Sequence, residues 1–160
     1  MNTEIVSDLA GLAKDPLSFV YWAFPWGEGL LTHQDGPEAW QKEILGHIGE
    51  NVSPDRVIQE AVASGHGIGK SALVSWLILW AISTHENTRG VVTANTETQL
   101  LTKTWPELMK WHAMFLARDL FKVTATSIFA AEDGKEKNWR IDAIPWSVGP
   151  APDRVRPGHR

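Results

Sequence analysis

Ser64-Gly65-His66-Gly67-Ile68-Gly69-Lys70-Ser71 is the stretch that decides how this chain is read. Three glycines at alternate positions let the backbone curl so that successive N–H groups turn inward, a concavity suited to phosphate oxygens. Residues 56–63 (RVIQEAVA), just before it, read as a strand. Residues 72–82 (ALVSWLILWAI), just after it, are apolar apart from Ser75 and read as a helix opened by Lys70 and Ser71, reaching about Ser83. Strand, glycine-rich loop and helix in that order make a phosphate-binding loop, with the positive end of the helix dipole aimed at the anion. Lys70 is the candidate catalytic residue, reaching the outer phosphates. The Ser71 hydroxyl is the candidate Mg²⁺ ligand, an oxygen donor for a hard cation. Gly65, His66, Gly67, Ile68, Gly69, Lys70 and Ser71 form the candidate nucleotide-binding set, in which His66 serves as a loop residue whose backbone does the work. One position departs from the usual pattern: Ser64 stands where glycine or alanine is common, and it is small enough to fit. The plainer alternative is a glycine-rich turn with a surface lysine at a helix start.

Upstream, Gly36-Pro37 opens a helix with Trp40, Ile44, Leu45 and Ile48 on one face. Gln41 sits on it, and its amide can donate to and accept from an adenine edge, which makes Gln41 the candidate base reader and ATP the expected nucleotide. A solvated surface glutamine is the competing reading. Further toward the N-terminus, residues 4–13 have helical spacing. Asp15-Pro16 then reads as an N-cap with proline at the first helical position, and residues 24–27 stop that helix.

Downstream, residues 90–94 (GVVTA) read as a short buried strand. Thr96 and Gln99 have capping-box spacing, and Pro106 restarts a second helix. Thr93, Asn95 and Gln99 form a polar cluster able to contact nucleotide or a DNA backbone, unless helix capping is its main role. Residues 122–130 and 139–146 read as a hairpin about the polar turn 133–138. Residues 148–160, with three prolines, three arginines and two glycines, carry no packed element. The fold expected is α/β: a partial P-loop domain (51–147) with a parallel sheet and flanking helices, an N-terminal helical segment (1–50) and an irregular tail (148–160).

Composition narrows the class. A chain of 160 residues with 43% apolar and 21% charged content builds one packed domain and is not a disordered tract. A net charge of −4 gives no global basic footprint for nucleic acid, though a local groove stays open. The absence of cysteine excludes disulfides and cysteine-ligated metal. The N-terminus lacks the pattern of a signal peptide, and the run 72–82 is too short to span a bilayer. Of the nine tryptophans, Trp76 and Trp80 are expected in the core, and Trp22, Trp26 and Trp40 where the N-terminal helices meet the nucleotide end.

Four segments taken together, WQKEIL, VASGHGIGKSALVSWLILWA, VVTANTETQL and KTWPELMKWHAMF, resemble the ATPase half of the large terminase subunit, the DNA-packaging motor protein of tailed double-stranded DNA phages. The resemblance spans roughly residues 22–146. It implies that Gln41 is the adenine-motif glutamine, that Gly65, Gly67, Gly69, Lys70 and Ser71 form Walker A, and that residues 93–99 are comparable to a helicase's DNA-coupling motif. It implies a terminase small subunit, a portal protein and double-stranded DNA as partners, no membrane, the bacterial cytoplasm as location, and an oligomer only where the full motor assembles. His66 stands where many terminases carry a loop arginine. No apolar strand ending in Asp-Glu is found: Glu132-Asp133 is in the opposite order, at the hairpin turn. A coupling motif and a nuclease domain are missing as well. The expectation is therefore a truncated motor subunit that binds ATP–Mg²⁺ and hydrolyses it poorly, with an out-of-frame tail. The alternatives are a small stand-alone P-loop enzyme of nucleotide-kinase type, or a non-enzymatic module that binds other packaging proteins.

Overall fold

A computed structural model describes residues 3–53 and 69–145. The expected strand 56–63, the loop residues Gly65, His66, Gly67 and Ile68, and the tail 148–160 lie outside the described residues.

The order of elements is α1 (Thr3–Gly11), α2 (Pro16–Ala23), a 3₁₀ turn (Gly29–Leu31), α3 (Ala39–Asn51), α4 (Lys70–Thr84), β1 (Arg89–Val92), α5 (Glu97–Gln99), a π-helical turn (Leu100–Thr104), α6 (Trp105–Met114), a second 3₁₀ turn (Arg118–Leu120), β2 (Phe121–Val123), β3 (Ser127–Ala130) and β4 (Arg140–Ala143). The chain is thus mixed α/β. Its four-stranded sheet has the order β1-β4-β3-β2. Only β1 and β4 are parallel, while β2–β3 and β3–β4 are antiparallel, so among the described residues the expected parallel sheet is a mixed one.

Local rules explain most of the element ends. Asp15 caps α2 by accepting from the Ser18 amide at 3.0 Å, and Pro16 occupies the first turn, where its missing N–H costs nothing. Thr96 accepts from the Gln99 amide at 3.0 Å. Before Pro106 the helix widens into a π turn instead of breaking, which absorbs a ring that cannot donate in the i→i−4 ladder. Helix α3 starts at Ala39, two residues later than Gly36-Pro37 suggests, because Glu38 is its N-cap.

Helix α4 is the hub. Leu73, Trp76, Ile78, Leu79, Trp80 and Ile82 are all buried, so it is apolar nearly all round, as a helix covered on most sides must be. It packs on α1, α2, α6 and β4. The tryptophans tie distant segments to it. Trp80 donates to the Leu12 carbonyl at 2.9 Å and Trp139 to the Ile82 carbonyl at 2.7 Å. Trp26 and Trp111 both stand edge-on to Trp76, with ring centroids 5.9 and 5.3 Å away. The buried indole N–H of Trp76 has no hydrogen-bond partner among the described residues.

The sheet is less buried than expected. Strand β1 alternates, with Gly90 and Val92 half-buried and Arg89 and Val91 exposed, so it is not the buried strand its apolar run suggests. Residues 122–130 do not form one strand. They split into β2 and β3 around Thr124, whose hydroxyl accepts from the amides of Thr126 and Ser127 at 3.3 and 3.1 Å. On β4, Arg140 and Asp142 pair at 2.7 Å, and Ser127 of β3 donates to the same carboxylate at 2.9 Å. The Arg140 hydrogen bond holds the Asp142 carboxyl below the usual carboxylate range, with smaller help from Ser127 and Arg89, against partial burial.

Candidate phosphate-binding site

Gly69 is where loop becomes helix. It is the N-cap of α4, with φ 78° and ψ 17°, the left-handed region that L side chains pay about 1–2 kcal/mol to enter. A Cβ here would also lie 2.7 Å from the Gln41 amide nitrogen. Glycine is therefore required twice over. Its carbonyl accepts two hydrogen bonds, from the Leu73 amide at 3.1 Å and from Gln41 Nε2 at 3.0 Å.

Gln41 is not a solvated surface residue. It is 3% exposed, and both ends of its amide are engaged. Oε1 accepts from the Glu38 amide at 2.8 Å, while the Glu38 side chain accepts from the Gln41 backbone, which completes a capping box at the start of α3. Nε2 reaches across to Gly69. Sequence reasoning missed this pairing, although its signal, Glu38-x-x-Gln41, is present; the usual box begins with serine or threonine. Trp40 stands beside it, its ring 3.8 Å from where a Gly69 Cβ would be, and its indole donates to Glu38 Oε2 at 2.9 Å.

Lys70, the first helical residue, is exposed, and Ser71 follows, half-buried. The first turn of α4 contains no acidic residue, so nothing in it opposes an anion at the positive end of the dipole. The Ser71 hydroxyl is a single oxygen donor, which suits Mg²⁺, an ion that keeps several waters and takes its remaining ligands from phosphates. Among the described residues no group of three or more His, Asp or Glu is placed to hold a metal. Thr93, Asn95 and Gln99 are all exposed, near the end of β1 and the start of α5. Glu132 and Asp133 are exposed in the β3–β4 turn, where Glu132 pairs with Lys135 at 3.1 Å.

A cleft of about 950 Å³ lies at the other end of α4, lined by Leu9, Thr84, Leu116, Leu120, Phe121 and Trp139 among others. Thr84 is fourteen positions from Lys70, roughly 20 Å along the helix axis at 1.5 Å per residue. The cleft is thus separate from Gly69-Lys70-Ser71. No helix of the described residues is long and apolar enough to cross a membrane. No family model, no curated protein and no solved structure matches this chain.

Proposed function

We propose that the chain binds MgATP at residues 65–71 and is the P-loop portion of a phage DNA-packaging motor of the large-terminase type. The observation that carries the nucleotide reading is Gly69, left-handed at the N-cap of a helix opened by Lys70 and Ser71. A glycine-rich loop that ends this way delivers the chain into the helix with the first amides facing out of its N-terminus, toward an anion. Lys70 supplies a point charge for the outer phosphates, and Ser71 is the residue that would hold Mg²⁺. That ion would neutralise phosphate charge when bound. The resemblance of the four sequence segments to terminases favours the motor over a nucleotide kinase. They also bring the small terminase subunit, the portal protein and double-stranded DNA into the proposal as partners, with the bacterial cytoplasm as the setting.

Steady hydrolysis by these 160 residues is not expected, because their sequence contains no Asp-Glu pair to hold Mg²⁺ and position the attacking water. Calorimetric titration of MgATP into the wild type and Lys70→Ala tests the reading. Binding to the wild type and a loss of at least about tenfold in the variant are expected. Equal binding to both would remove Lys70 from the site. A phosphate-release assay that found sustained turnover would contradict the motor-fragment reading and favour a self-contained enzyme.

A further inference from the structure

The 69–70 peptide is held from one side by a residue of another helix. A trans peptide fixes its C=O and N–H in opposite directions. The Gly69 carbonyl points down α4, where it accepts from the Leu73 amide at 3.1 Å, so the Lys70 N–H points up and out of the helix N-terminus. The same carbonyl accepts from Gln41 Nε2 at 3.0 Å. Turning this peptide over would break both bonds, reverse the Lys70 N–H and bring an oxygen toward the phosphate side. Glycine is the residue type least able to resist such a turn by itself.

From this we infer that Gln41 is a positioning residue of the phosphate site, which acts by locking the 69–70 peptide and not by reading a base. The inference rests on the phosphate-binding role proposed above. Three observations support the lock. Gln41 is 3% exposed, which leaves its amide little surface to offer a base. Its Oε1 is fixed by the Glu38 amide at 2.8 Å, so the direction of Nε2 is set by the start of α3. The contact with Gly69 is close enough that even a methyl group there would collide with Nε2, at 2.7 Å. Helix α3 is thereby coupled to the orientation of the Lys70 amide.

The test uses the full chain and two probes, Mg-tripolyphosphate, which has no base, and MgATP. Gln41→Met keeps the side-chain bulk and removes the amide. Ile48→Val trims buried bulk two turns further along α3 and leaves Glu38, Gln41 and Gly69 in place, so it controls for loss of stability in α3. The lock predicts that Gln41→Met weakens both probes by the same factor, on the order of tenfold. Ile48→Val should bind both as the wild type does. In the wild type itself, NMR should show the Gln41 side-chain amide protected from exchange and scalar-coupled across its hydrogen bond to the Gly69 carbonyl. A loss confined to MgATP makes Gln41 a base reader and overturns the inference. Wild-type affinity in Gln41→Met, equal weakening by Ile48→Val, or a freely exchanging Gln41 amide overturns it too. A wild type that binds neither probe removes the phosphate site, and this role with it. The protected amide would then persist as a purely structural bond, which separates the two failures.

Discussion

The two ends of α4 are held by different means. Toward its C-terminus the helix is fixed by large apolar groups with polar tips. Trp80 reaches Leu12, Trp139 reaches Ile82, and Thr88 donates to the Ala81 carbonyl at 2.9 Å. At its N-terminus there is one glycine, one buried amide from α3 and an exposed lysine. The first arrangement resists unfolding because truncating any member opens a cavity. The second has little bulk to lose and depends on the direction of a single peptide. Stability and binding should therefore separate along this helix: substitutions from about its middle onward chiefly cost folding, and those at its start cost affinity.

The largest effect should come from Trp76→Ala, which empties the space between Trp26 and Trp111. A loss of about 3–5 kcal/mol in urea unfolding is expected, and a cost under about 1 kcal/mol would break the contrast. Next is Gly69→Ala, where the left-handed backbone alone costs about 1–2 kcal/mol and the collision with Gln41 adds to it. The same variant should weaken Mg-tripolyphosphate, and a stable variant that binds normally would show that the peptide is not constrained. Trp80→Phe should cost about 1 kcal/mol for its bond to Leu12, with MgATP affinity unchanged. A drop in affinity would mean that the two ends are coupled.

The smallest effect is expected at the sheet. The Asp142 carboxyl is held below the usual carboxylate range, chiefly by its hydrogen bond with Arg140. A depressed folded-state pKa adds stability that is present above the unfolded value, near pH 4, and is lost as the pH falls through the folded value. With the side chains of Arg140 and Asp142 29% and 33% exposed, the pair should contribute under about 1 kcal/mol. Asp142→Asn should lower stability at neutral pH and flatten its decline below about pH 4, as followed by circular dichroism. An unchanged acid limb would remove this pair from the account.

Much of the helical half was legible because its signals are local. Asp15-Pro16, Thr96 with Gln99, and the apolar run after Lys70 each specify structure within one or two turns. The sheet was harder. Its β2–β3 turn is made by a threonine hydroxyl instead of glycine or asparagine, so residues 122–130 read as one strand. The parallel pairing of β1 with β4 joins residues some fifty positions apart, Arg89 with Arg140, which no short pattern encodes. At the candidate site, Gly69, Lys70 and Ser71 stand at the start of a helix, as the glycine-rich motif predicts. The burial of Gln41 and its bond to Gly69 were not legible, because they depend on how α3 meets α4.

The most direct measurement is a ¹⁵N-resolved NMR titration of the wild type with Mg-tripolyphosphate. The amides of Gly69, Lys70 and Ser71 are expected to move first and furthest, saturably, while those lining the cleft at the other end of α4, such as Leu9 and Thr84, stay still. Unmoved resonances at 69–71, or shifts centred on that cleft, would contradict the phosphate-site reading.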